Sequence, residues 1–129
     1  MKKRLFLVLA AIALSGCGGS SDPELSGNWT GTGKTTANGV ITTSTITATL
    51  AQNGTIVTGN MSVVSNEGTF AGTVAGNFNG STLTANFSPS DITRCPYSAT
   101  LVYSDNKLSG LGTAYNCSVT SSFEIALAR

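Results

Sequence analysis

Beyond residue 22 the apolar side chains recur at every second position, and no helical stripe longer than two turns appears. Alternation at period two marks half-buried β-strands, and Asn-Gly and single Gly punctuate it at intervals suited to hairpins. The pattern predicts strands over 27–36, 40–51, 55–65, 68–78, 81–88, 95–104, 107–117 and 119–128. Eight strands, each joined to the next by a short turn, suit an all-β, up-and-down antiparallel barrel whose first and last strands pair and remove the edges. A two-sheet β-sandwich is the alternative. The outward faces carry Thr, Ser and Asn instead of apolar groups, which excludes a membrane-spanning pore.

The turns make the strand pairing testable. A two-residue type I′ turn at Asn53-Gly54 would set Leu50 opposite Val57, Ile46 opposite Met61 and Ser44 opposite Val63. The same turn at Asn79-Gly80 would set Val74 opposite Ala85, Gly76 opposite Leu83 and Gly72 opposite Phe87. A third hairpin centred on Asn106 would pair Leu101 with Leu111, Tyr97 with Tyr115 and Cys95 with Cys117, although a bulge would shift that register by one. The expected inward set is Trp29, Ile46, Leu50, Val57, Met61, Val63, Phe70, Val74, Leu83, Phe87, Tyr97, Leu101, Tyr103, Leu111, Tyr115, Phe123, Ile125 and Leu127.

The first residues read differently. Lys2, Lys3 and Arg4 precede an apolar run from Leu5 to Leu14, which ends in Leu14-Ser15-Gly16-Cys17. A basic start, an apolar stretch and small residues at a cut site make a secretory signal peptide. The run is too short to span a bilayer, which takes roughly 20 residues. Leu-Ser-Gly-Cys resembles the lipobox of bacterial lipoproteins, and the resemblance implies cleavage before Cys17 and acylation of its thiol. In that sorting pattern an Asp after the cysteine retains the protein in the inner membrane. Gly18 stands there, which favours lipid anchoring to the cell envelope at the outer membrane. The expected organisation is a signal peptide over 1–16, a lipidated tether over 17–25 and a barrel domain over 26–129.

Export changes how charge and cysteines are read. Three of the seven basic residues lie in the leader, so four remain against six acidic residues, a balance of −2 where the whole chain carries +1. A domain this neutral has no basic stripe for nucleic acid. With Cys17 lipidated, Cys95 and Cys117 remain, and an exported chain with two cysteines most simply forms one disulfide. Closing that loop would contribute roughly 3 kcal/mol in the chain-entropy account.

The first expected strand carries Ser26-Gly27-Asn28-Trp29-Thr30-Gly31. It resembles the Gly-x-Trp start of lipocalins and avidins, in which the Trp plugs one end of an eight-stranded barrel. Val57-Thr58-Gly59, Phe70-Ala71-Gly72 and Leu108-Ser109-Gly110 also resemble avidin strands. The resemblance implies a calycin-type, lipocalin-like barrel with Trp29 as a plug. An avidin-type biotin pocket needs several tryptophans, and this chain has one.

The chain contains no histidine, which removes Ser-His-Asp and Cys-His catalysis and the common zinc sites. The acidic residues are scattered over turns and outward positions, and Gly31-Thr32-Gly33-Lys34 lacks the spacing of a phosphate loop. No enzymatic activity, cofactor or metal is expected. Two binding functions fit: a protein-interaction module, of the inhibitor kind, directed at an envelope or secreted protein, and a lipocalin-like carrier of a small apolar ligand. The carrier would hold its ligand among Phe87, Tyr97, Tyr103 and Tyr115. The interaction module would use the irregular stretch 88–94, with Ile92 and Arg94 as contacts, because loops on rigid scaffolds carry binding function.

Overall fold

The computed structural model describes residues 24–115, 117–118 and 121–129. The leader, Cys17 and most of the expected tether lie outside the described residues, as do Asn116, Val119 and Thr120. The described residues form eight strands: β1 (Gly27–Ala37), β2 (Val40–Asn53), β3 (Ile56–Ser65), β4 (Gly68–Phe78), β5 (Thr82–Pro89), β6 (Tyr97–Ser104), β7 (Lys107–Ala114) and β8 (Ser121–Ala128). They close into one antiparallel barrel in sequence order. β8 pairs with β1 from Thr30↔Ala128 to Ala37↔Ser121, so no sheet edge is left open.

Three hairpin registers differ from the expectation, for two reasons. In the β2–β3 and β4–β5 turns glycine takes the first central position and Asn stands one place earlier. Gly54 has φ 64° and Gly80 has φ 99°, while Thr55 and Ser81 do not have positive φ, the pattern of a type II′ turn. Asn79 caps its turn instead, its Oδ1 accepting from the Ser81 and Thr82 amides at 3.0 and 2.8 Å. The pairs are therefore Ile46↔Val63 and Leu50↔Gly59, and Val74↔Phe87 and Gly76↔Ala85. Each register moves by two residues, which leaves every side chain on its expected face.

The third hairpin moves by one, and the faces of β7 exchange. Asp105 and Asn106, with φ 51° and 61°, are both central residues of a type I′ turn, so Leu101 pairs with Gly110 and Tyr97 with Ala114. Leu111 is consequently 66% exposed, and Leu108 is buried in its place. Tyr115 falls on the outward phase of β7 and is half-buried. The disulfide forms just beyond the paired residues, joining Cys95 before β6 to Cys117 after β7 with Cα atoms 5.7 Å apart.

The two ends of the barrel differ. At the end where β1 begins, Leu25 and Trp29 are fully buried, with Phe78 and Leu108 beside them. The Trp29 indole N–H donates to the Leu25 carbonyl at 2.8 Å, and its ring meets Tyr103 edge-on at 6.4 Å. Leu25 N–H donates to Gln52 Oε1 at 2.9 Å, which ties the incoming chain to the β2–β3 turn. Arg129 lies over the Trp29 ring at 4.7 Å and donates to the Ser26 carbonyl at 3.1 Å. Both described termini thus seal this end.

The interior is filled. A void of about 40 Å³ remains, lined by Leu50, Met61, Val74, Phe87, Tyr97, Leu101 and Phe123 among others. An engineered apolar cavity that binds benzene has roughly 150 Å³, several times the volume found here. Glycines let the wall coil this tightly. A Cβ on the inward position of Gly31 would overlap the carbonyl oxygen of Ala126, and one on Gly72 would overlap that of Ser88.

Candidate functional site

The opposite end, where β1 meets β2, is open. A cup of about 390 Å³ lies there, lined by Thr35, Ala37, Asn38, Val40, Thr42, Ser44, Val63, Ser65, Glu67, Phe70, Arg94 and Tyr97. The wall is uneven because β1 and β2 outrun β3. Pairing of β2 with β3 stops at Ser44↔Ser65, whereas β2 stays paired with β1 up to Ala37↔Val40. The β1–β2 hairpin therefore overhangs the mouth and leaves Val40 and Ile41 exposed.

The β5–β6 loop forms the facing wall, and it is tied at several points. Ser90 donates to the Ala71 carbonyl from both its amide and its hydroxyl, each at 2.9 Å. Asp91 Oδ1 accepts from the Thr93 hydroxyl at 2.7 Å and the Thr93 amide at 2.9 Å. These bonds hold the Asp91 carboxyl below its ordinary pKa, the hydroxyl contributing most, then the amide, with Arg94 adding a smaller pull against partial desolvation. The Arg94 amide closes the turn on the Asp91 carbonyl at 3.0 Å, and the disulfide at Cys95 fixes the loop's far end. What this tethered turn presents is Ile92, 96% exposed.

Arg94 turns the other way, its guanidinium carbon 4.3 Å from the centre of the Phe70 ring. Tyr97 stands next to it on β6, packed against Phe123 at 5.1 Å, with its hydroxyl 2.9 Å from Ser121 Oγ. Glu67 sits at the rim and accepts from the Thr42 hydroxyl at 3.5 Å. Among the described residues the ion pair found is Lys34–Glu124 at 3.8 Å on the outer wall, and no carboxylate lies within ion-pairing distance of Arg94. No group of three or more His, Cys, Asp or Glu is placed to hold a metal among the described residues.

The expected site residues separate into three places. Arg94 and Tyr97 come together in the cup, and Ile92 is exposed on the loop that supplies Arg94. Phe87 and Tyr97 border the small interior void. Trp29 and Tyr103 pack at the sealed end, out of reach of any ligand at the mouth, and Tyr115 lines neither cavity. The four residues expected to surround one apolar ligand therefore do not converge. Thr35, Thr42, Ser44 and Ser65 also line the cup and are not among the expected site residues. Their signal in the sequence is a hydroxyl at an inward phase where each strand reaches the mouth.

Comparison with protein-family models and with curated proteins gives no match for this chain. The class is thus defined by architecture alone: a small, closed, eight-stranded antiparallel barrel, filled within, sealed at one end and cupped at the other.

Proposed function

We propose that the protein is a non-catalytic protein-interaction module of the cell envelope, exported by its signal peptide and anchored by lipid on Cys17. In this reading the anchor sits in the outer membrane, the barrel is lipocalin-like, and the open end engages an envelope or secreted protein as an inhibitor-type module would. The observation that carries it is Ile92, a fully presented aliphatic side chain on a loop held rigid at both ends. Ordering such a loop in advance removes the entropy that a flexible one would lose on binding. The chain enters the barrel at the sealed end, and residues 17–23 extend at most roughly 25 Å. A lipid on Cys17 would therefore leave the mouth directed away from the bilayer. An interior void of about 40 Å³ lends no support to a carrier of small apolar molecules.

The test is capture from an envelope extract by the soluble 18–129 domain, run beside Ile92→Asp and read by mass spectrometry. A partner held by the wild type and lost by Ile92→Asp supports the reading. Identical captures from both proteins would refute it. Anchoring is tested separately: Cys17→Ser should abolish fatty-acid labelling and release the protein from the membrane fraction.

A further inference from the structure

The mouth holds a cation that has no ion-pair partner among the described residues. Arg94 is half-buried, its guanidinium carbon lies 4.3 Å from the centre of the Phe70 ring, and among the described residues no carboxylate is within ion-pairing distance. Contact with the ring restricts the guanidinium and removes water from the side that meets it. Its edge, with the N–H groups that match a carboxylate in a two-bond fork, is left for a ligand.

We propose that Arg94 and the cup form a receptor for a single carboxylate on a protruding segment of a protein partner, a proposal that rests on the interaction reading above. Three observations select that ligand. The cup, at about 390 Å³, is at the low end of ligand-pocket sizes and suits one side chain or one chain end. Val40 lines it, 63% exposed, and Ile92, 96% exposed, projects from the loop that carries Arg94. Apolar groups beside a charged contact help to exclude water from it, an arrangement that concentrates binding energy at protein interfaces. Glu67, in the same rim, supplies a negative charge that disfavours a run of acidic groups. The occupant is therefore one carboxylate flanked by apolar residues, not a polyanion. The hydroxyls of Thr35, Thr42 and Ser65 are placed to accept or donate to the backbone of the entering segment.

The carboxylate can come from a Glu side chain or from a chain terminus, and titrations of the isotope-labelled protein followed by NMR separate these sources. The ligands are acetyl-Leu-Glu-Leu-amide, its Gln counterpart, acetyl-Leu-Ala-Leu with a free terminal carboxylate, and glucuronate. At least one carboxylate peptide should shift the amides lining the cup and the Arg94 side-chain N–H. The Glu peptide or the free-terminus peptide, whichever binds, marks the source. The Gln peptide should bind about tenfold to a hundredfold more weakly than the tighter carboxylate peptide, the worth of a charge-assisted bond. Arg94→Gln should erase that difference, and Arg94→Lys, which keeps charge without the fork, should leave part of it. Equal binding of the carboxylate and Gln peptides, a difference that survives Arg94→Gln, or no saturable shift with any peptide would each overturn the proposal. Glucuronate binding more tightly than the peptides would overturn it in favour of an acidic sugar. If Arg94→Gln still captures an Ile92-dependent partner, the carboxylate assignment fails while the interaction reading stands.

Discussion

Replacing Trp29 with Ala should unfold much of the population at growth temperature. The ring is fully buried at the sealed end, touches Tyr103 edge-on, and carries the Arg129 guanidinium on its outer face. Truncating a buried aromatic to Ala costs about 3–5 kcal/mol through lost transfer energy and the cavity left behind. The Leu25 carbonyl also loses its partner at 2.8 Å, and an unsatisfied buried acceptor costs about 1–3 kcal/mol unless water replaces it. Arg129 loses a contact worth about 0.5–1 kcal/mol at an exposed site. Because water would enter the vacated end and the terms overlap, the net expectation is about 4–6 kcal/mol, against a total stability of about 5–15 kcal/mol for a domain of this size.

Thermal melts under oxidising conditions read the effect directly. At about 4 °C per kcal/mol for a domain near 100 residues, the midpoint should fall by roughly 15–25 °C. Trp29→Phe separates the contributions: it keeps an aromatic ring inside but cannot donate to Leu25, and should cost roughly 1–2 kcal/mol. A drop of less than about 3 °C for Trp29→Ala would show that the sealed end is not held by the indole, and the account of that end would be wrong.

Three further outcomes follow from the same geometry. Gly31→Ala should destabilise the barrel despite adding only one methyl, because that methyl collides with the Ala126 carbonyl across the β1–β8 closure; an unchanged denaturant midpoint would refute the close approach. Replacing Cys95 and Cys117 together by Ser should lower stability by roughly 3 kcal/mol and accelerate amide exchange in the β5–β6 loop, whereas unaltered exchange there would show that the disulfide does not hold the loop. Asp91 has a lowered pKa in the folded state, so the order it lends the turn is fully present at neutral pH and fades only as pH falls below the ordinary Asp range through the folded value. The Thr93 amide shift should follow that titration, and Asp91→Asn should weaken it; a Thr93 amide insensitive to acid would remove Asp91 from the turn.

Strand number, order and most faces were legible because alternation at period two survives any even slip in register. Misplacing Asn53-Gly54 and Asn79-Gly80 by one position in the turn moved each pairing by two, and Ile46, Leu50, Val57 and Val74 stayed inside. At Asp105-Asn106 the slip was odd. A turn centred on Asn106 sets Leu111 inward opposite Leu101, and only the positive φ of both Asp105 and Asn106 sends Leu108 inward and Leu111 outward. Phe78 and Leu25 were missed for another reason. They lie at a strand end and before the first strand, where alternation has too few positions to speak, yet both are buried at the sealed end.

The cup shows what a pattern read strand by strand leaves out. Followed from the sealed end to the mouth, the inward positions change from apolar to hydroxyl in four strands. In β1 they run from Trp29 to Thr35, in β2 from Leu50 to Ser44 and Thr42, in β3 from Val57 to Ser65, and in β8 from Leu127 to Ser121. These strands are consecutive around the closed barrel, so their hydroxyls share one side of the mouth. β4 and β6 carry Phe70 and Tyr97 there instead, β5 ends on Pro89, and Arg94 lies against Phe70. Each gradient is visible in its own segment, but its meaning depends on closure, which sets β8 beside β1 and brings the loop arginine onto the aromatic side. A core needs only apolar side chains at these positions. A mouth divided into a hydroxyl half and an aromatic half bearing a cation fits an occupant with two unlike faces, and a protein segment with a backbone on one side and a carboxylate on the other has them.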